Sequence, residues 1–281
     1  MIMAETIAQV RQSVLEWKKA GKSVGFVPTM GCLHDGHMSL IRKAREENDY
    51  AVVSIFVNPT QFGPGEDFQK YPRDLERDSE MCRAVGVDLL FAPPAGEMYP
   101  EPGLTHVDVD KISSGLCGDF RPGHFRGVAT VVCKLFNIVR ADRAYFGEKD
   151  AQQLRVIRRM VRDLNIPVEI IGLPTVREKD GLAMSSRNTY LSGAERQAAL
   201  VLVNSLRRAE ELIRNGERAA DKIAGAIREI IQREPLAALD YVAVVESETL
   251  APLEELAGEV LVALAVRIGK TRLIDNMAFK I

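Results

Sequence analysis

The chain has 281 residues, 46% hydrophobic and 27% charged, so it can bury a large core without disulfides or metals. Its 37 Lys and Arg against 39 Asp and Glu leave a net charge of −2, which gives no general support for a nucleic-acid partner. No apolar run approaches the roughly 20 residues of a membrane span, and MIMAETIAQVRQSV carries polar residues where a secretory signal needs an apolar stretch. Cys32, Cys82, Cys117 and Cys133 are far apart and form no CxxC pair, which argues against a zinc site or a disulfide framework. Reduced thiols and a cytoplasmic location are expected.

In chain order, residues 6–20 show a helical period through Ile7, Val10, Val14, Leu15 and Trp17 that stops at Gly21. Residues 23–28 read as a buried strand, 37–49 as a helix and 51–57 as a continuous apolar strand. A helix at about 73–85 and a strand at 88–93 repeat the unit, and a shorter strand is expected at 105–109 before the glycine-rich SSGLCGDFRPGHFRG. A helix at about 126–140, a strand at 143–147, a helix at 150–165 and the strand VEIIGLP follow. On that last helix Arg155, Arg158, Arg159 and Arg162 share one face, the pattern of a solvated arginine surface.

Apolar strands alternating with helices imply an α/β fold, a Rossmann-like parallel sheet with helices on both faces. Ligands bind such sheets at the carboxyl ends of the strands. Near residue 177 the texture changes to a polar, turn-rich stretch. Helices at about 193–214 and 218–232 and the strands DYVAVVE, VLVALAVRIG and TRLIDNMAF then give a smaller α+β C-terminal domain. The expected domains are residues 1–176 and 177–281.

Four segments carry candidate chemistry. In VPTMGCLHDGH, residues 27–37, a strand runs through a glycine turn into a helix bearing His34 and His37. A helix N-terminus is an anion site, and two imidazoles there can donate to phosphate oxygens while charge develops. A tight turn with two surface histidines is the plainer alternative, but two of the chain's four histidines share this turn and fit the HxGH signature. In FVNPTQFGPGEDFQKYPRD, Asn58 and Gln61 leave a strand end, either to hold a hydroxylated polar substrate or merely to cap backbone groups. In YFGEKDAQQL, Lys149 can reach triphosphate oxygens and Asp150 can accept from ribose hydroxyls; alternatively Asp150 is a helix cap and Lys149 is solvated. In AMSSRNTYLS, two hydroxyls and an arginine either close over pyrophosphate or form a capping linker.

PTMGCLHDGH, SIFVNPTQFGPGEDFQKYPRD, RPGHFRGVATVV, YFGEKDAQQL, LAMSSRN and RLIDNMAF, in this order and spacing, resemble the pantothenate synthetase (pantoate–β-alanine ligase) family of the HIGH-type nucleotidyltransferases. The likeness spans essentially the whole chain, with Cys32 standing where the family usually has a small residue such as Ala. The resemblance implies condensation of pantoate with β-alanine using ATP, through a pantoyl adenylate. It assigns ATP to Met30, Gly31, Cys32, Leu33, His34, Asp35, Gly36 and His37, with His37 the general acid on the departing pyrophosphate. Gly147, Glu148, Lys149 and Asp150 would bind ribose and phosphate, Val176 the adenine, and Met184, Ser185, Ser186 and Arg187 would form the counterpart of a KMSKS loop. Gln61 and Gln153 would hold pantoate, with Gln61 also meeting β-alanine. Mg2+ and a homodimer are further implications; the Mg2+ ligands stay unassigned, Asp74 and Asp78 being acids within range of consideration. Cationic His34, His37, Lys149 and Arg187 would offset the charge on pyrophosphate. The rival readings are a nucleotidyltransferase that stops after one transfer, an RNA-binding or tRNA-charging protein, and a catalytically idle nucleotide-binding module.

Overall fold

Thr6 starts the first helix with a reciprocal cap: its hydroxyl accepts from the Gln9 N–H, and the Gln9 side chain accepts from the Thr6 N–H. This helix, α1 (Ile7–Lys19), follows a short strand, β1 (Ile2–Ala4), and precedes β2 (Val24–Thr29), α2 (Asp35–Glu47) and β3 (Tyr50–Ile55). Next come α3 (Leu75–Ala84), β4 (Leu89–Phe91), the one-turn helices α4 (Ala95–Met98) and α5 (Cys117–Phe120), and the long α6 (His124–Val139). β5 (Arg143–Gly147), α7 (Ala151–Asp163) and β6 (Glu169–Leu173) complete the first part. The computed structural model describes residues 1–101 and 103–281.

These six strands form one parallel sheet in the order β1-β4-β3-β2-β5-β6. Successive strand side chains alternate between faces. Phe26, Val52, Leu89, Phe91 and Phe146 therefore pack with α1, α6 and α7, while Val27, Val53, Leu90 and Tyr145 pack with α2 and α3. Both faces are covered, as the apolar strands imply. The chain builds outward from β2 toward β3 and β4, then crosses back to add β5 and β6. The loops leaving β2 and β5 thus part around one crevice at the carboxyl edge, the position where open α/β sheets bind ligands.

The remaining elements are α8 (Gly193–Ala198), α9 (Leu200–Arg214), α10 (Ala220–Gln232) and the strands β7 (Ala237–Glu246), β8 (Glu259–Ile268) and β9 (Thr271–Lys280). The strands form an antiparallel sheet, β7-β8-β9, and Val260, Val262 and Leu264 pack against Leu202, Leu206, Ile223 and Ile227 of the helices. From the opposite face of β8, Leu261 and Ala263 meet Ala151 at the start of α7, making an apolar seam between the two sheets' units.

Four expectations need correction. The three residues of β1 are too few to show a period and were not foreseen. The strand expected at 105–109 is absent, because Val107 N–H is taken by the Thr130 hydroxyl on α6 rather than by a neighbouring strand. The helix expected over 193–214 is two helices, tightened at Ala199 where Leu202 N–H bonds a carbonyl only three residues back. Arg155 is not solvated: it is buried in the seam, donating to the Ser247 carbonyl at 2.6 Å and the Ser247 hydroxyl at 2.8 Å.

Candidate functional site

The loop leaving β2 turns through two left-handed residues, Gly31 at φ 81° and Cys32 at φ 49°. Such a conformation costs a side-chain-bearing residue roughly 1–2 kcal/mol. Asp78, buried at the start of α3, holds it there by accepting from the N–H groups of Cys32 at 2.7 Å and Leu33 at 2.8 Å. Burial nevertheless raises the Asp78 pKa above the ordinary carboxylate value. Asp74 caps α3 through the Arg77 N–H. Both acids considered for a metal are therefore occupied, Asp78 in shaping this loop and Asp74 in capping α3.

The spacing of the histidines now has a local cause. His34 is the N-cap of α2 and His37 its third residue, and they act as a reciprocal cap. Gly36 N–H donates to His34 Nδ1 at 3.2 Å, and His34 N–H donates to His37 Nδ1 at 3.3 Å. A ring nitrogen that accepts from an amide carries no proton, so each neutral imidazole bears its proton on Nε2. The rings lie 4.1 Å apart. A Cβ on Gly36 would come within 2.8 Å of the His34 ring, which is why glycine stands between them. Burial, reinforced by Lys149, lowers the His34 pKa to about 4; burial and then His34 hold His37 well below its usual value. The expected pair of cations is therefore a pair of neutral donors.

A second cluster fixes Gln61. Asn58 caps the turn that carries it and donates to Gln61 Oε1 at 3.1 Å, so the plainer reading of Asn58 holds. Among the described residues Gln61 Nε2 finds only the Met30 sulfur, at 3.1 Å, a weak acceptor that leaves donor capacity for a ligand. The Gln61 carbonyl lies 2.8 Å from His124 Nδ1, while Arg121 Nη1 lies 3.0 Å from His124 Nε2. Arginine can only donate, so Nε2 accepts and Nδ1–H points at the carbonyl. Burial, then Arg121, lower the His124 pKa to about 4. Neither Arg121 nor His124 was assigned a role from sequence, although RPGHFRG was recognisable as a motif.

Three imidazoles that stay neutral have a consequence for stability. Below about pH 6.5 the unfolded chain binds protons on them, while in the native protein His34 and His124 resist until about pH 4 and His37 is held well below its usual value. Stability should therefore fall as pH drops from 6.5 toward 4.5, before most carboxylates titrate. Urea midpoints measured across that range check this, and a flat profile would mean the native imidazoles are already charged.

The turn after β5 supplies the third cluster. Asp150 stands at the N-cap position of α7, yet its carboxylate makes no capping bond. Among the described residues neither it nor the Lys149 ammonium has a hydrogen-bond or ion-pair partner, so capping does not explain them. In the SSRN segment, Ser185 caps a short turn through the Arg187 N–H, and the Ser186 hydroxyl donates to the Cys32 carbonyl at 3.1 Å. Arg187 is held bidentately by Asp67, both bonds at 2.9 Å, and is not the free cation expected. Met184 N–H donates to the Val176 carbonyl, joining the segment to the exit of β6.

These clusters meet. Met30, His34, His37, Gln61, Lys149 and Arg187 line one inner cavity of about 220 Å3, with Gly36, Gly147, Asp150, Gln153, Val176, Met184, Ser185 and Ser186. Phe56, Val128, Val131 and Leu135 give it an apolar wall. It shares Lys149, Asp150, Gln153, Ser185 and Arg187 with a cleft of about 1230 Å3 between the two sheets' units. Of the residues expected at the nucleotide, Gly31, Cys32, Leu33, Asp35 and Glu148 do not line the inner cavity and instead shape its loops.

A family model described as pantoate-beta-alanine ligase matches the chain over residues 2–278. The chain belongs to the pantoate–β-alanine ligase family. It is 61% identical to pantothenate synthetase from Heliobacterium modesticaldum and 57% identical to that from Acetivibrio thermocellus, over 100% of each chain. A crystal structure of pantothenate synthetase from Thermus thermophilus matches with a TM-score of 0.94 at 50% identity, covering 99% of both chains. Pantoate-beta-alanine ligase from Francisella tularensis, complexed with beta-gamma ATP and beta-alanine, matches with a TM-score of 0.80 at 38% identity, covering 99% of this chain and 97% of that one. As a pantoate–β-alanine ligase, the chain is an enzyme that condenses pantoate with β-alanine using ATP.

Proposed function

We propose that this ligase works through a pantoyl adenylate formed in the inner cavity, the reading carried by the meeting of His34, His37, Gln61, Lys149, Gln153 and Arg187 around one space. A pantoate carboxylate oxygen attacks the α-phosphorus of ATP, and the bond to pyrophosphate breaks with its electron pair leaving on oxygen. The β-alanine amine, having shed its ammonium proton, then attacks the adenylate carbonyl, and AMP departs with the carbon–oxygen bond pair.

Gln61 and Gln153 orient pantoate, and the apolar wall takes its methyl groups. The Nε2–H groups of His34 and His37, with Lys149, face the phosphates and stabilise charge as it moves onto pyrophosphate. His37 acts as a general acid only once the anionic nucleotide has raised its proton affinity. Arg187 joins by exchanging Asp67 for phosphate. The turn at Gly147–Asp150 holds ribose and phosphate, and Val176 meets adenine.

Mg2+ enters with ATP in this reading and neutralises phosphate charge when bound. Among the described residues no group of three His, Cys, Asp or Glu can cage a metal, so Asp150, unpartnered at both cavities, is the side chain that fits it. Residues 177–281 serve as a lid over 1–176, excluding water that would hydrolyse the adenylate. A homodimer is supported by the family resemblance. No helix among the described residues is long and apolar enough to cross a membrane; the four free cysteines support a cytoplasmic location.

A product assay tests the route. Pantoate and ATP with Mg2+ should release one equivalent of pyrophosphate per site, and AMP should accumulate only when β-alanine is added. AMP release indifferent to β-alanine would defeat the two-step scheme.

A further inference from the structure

The terminal RLIDNMAF motif has no role in the reaction as derived so far, yet two of its residues reach the nucleotide cavity's framework. Side chains of β9 alternate, so Leu273, packed in the core under α9 and α10, and Asp275 share one face while Arg272 and Asn276 share the other, and all four border the cleft. Asn276 crosses the seam: its Nδ2 donates to the carbonyls of Glu148 at 3.0 Å and Lys149 at 2.9 Å. On the other face, Asp275 is buried and accepts from Arg177 through two bonds, at 2.7 and 2.9 Å. Arg177 also donates to the Gly181 carbonyl and pairs with Ala183, closing the hairpin between Val176 and Met184.

We infer that Asn276 is a positioning residue for ATP, pinning the Glu148–Asp150 turn so that Lys149 and Asp150 point into the cavity. It rests on the proposed assignment of that turn to the nucleotide. Asp275 pins the Val176–Met184 hairpin in the same way. Consecutive residues of one strand thus tether two walls of the nucleotide space, and the smaller sheet builds the site as well as covering it. The turn needs such a tether because Asp150 does not cap α7, and among the described residues the Lys149 side chain has no partner to fix it.

The variants Asn276→Ala and Asn276→Asp, made in the full chain, separate donor from shape. Aspartate keeps the outline of asparagine but sets a carboxylate against two carbonyl oxygens. The affinity for a nonhydrolysable ATP analogue, read by calorimetry, should weaken roughly tenfold in Asn276→Ala and further in Asn276→Asp. The KM for pantoate should move less than about twofold, since Gln61 is held against α6 and Gln153 stands within α7, past the turn that Asn276 ties. Thermal melting close to wild type would show both variants folded. Nucleotide affinity unchanged in Asn276→Asp, or a pantoate KM that rises in step with the loss of nucleotide affinity, would overturn the inference. Failure of the wild-type chain to join pantoate to β-alanine would instead break the functional reading, and the calorimetric comparison does not depend on turnover.

Discussion

Replacing His37 with asparagine is expected to lower the rate of pyrophosphate release by roughly 100-fold or more while leaving the melting temperature close to wild type. The loss is that of a preorganised donor aimed at developing charge, for which factors of about 100–1000 are usual. Asparagine separates this role from capping. Its Oδ1 replaces the Nδ1 that accepts from His34 N–H, and asparagine is itself a favourable residue near helix starts. What disappears is Nε2–H, the donor this cavity-lining residue has left once Nδ1 is used in capping. Glutamine reverses the trade, reaching farther with an amide N–H, and should recover part of the rate at some loss of helix stability. Single-turnover pyrophosphate release with pantoate and ATP reads both variants. An Asn variant that turns over normally would remove His37 from the chemistry and leave it a capping residue.

Lys149→Met should also lower adenylate formation by roughly 100-fold, through loss of a fixed positive charge beside the phosphates. With both imidazoles neutral and Arg187 engaged by Asp67, Lys149 is the cation at the shared mouth of the two cavities without a partner among the described residues. A second readout needs no turnover. Lys149 lowers the His34 pKa, so removing it should move the His34 titration upward from about 4. Proton titration of the imidazole resonances checks this directly. A His34 titration that stays in place, with catalysis intact, would show that Lys149 lies too far from the histidines to share their site.

How much of this was visible beforehand differs by level. The 3.6-residue period of α1, α2, α6 and α7 and the continuous apolar runs of β2 and β3 identified a covered parallel sheet, because periodicity reports which faces must be buried. β1 and the false strand at 105–109 fall where that signal fails: one is too short for a period, and the other satisfies its backbone on a helix side chain. HDGH was legible as a phosphate motif, beside the plainer reading of a tight turn with two surface histidines, but that both rings cap α2 through Nδ1 was not. Asn276 was not legible as a site residue, since nothing near position 276 points to a turn 127 residues away.

By itself the amino-acid sequence determined most of the elements and buried faces, the family and the candidate groups for the chemistry, all of which follow from patterns among chain neighbours. Tertiary structure alone decided which of those groups carry charge and which are free. Desolvation makes His34, His37 and His124 neutral, Asp67 occupies Arg187 from 120 residues away, and Asn276 ties the second sheet to the Lys149 turn. Protonation and pairing depend on local dielectric and on distances of a few ångströms, and those exist only once remote segments have packed together.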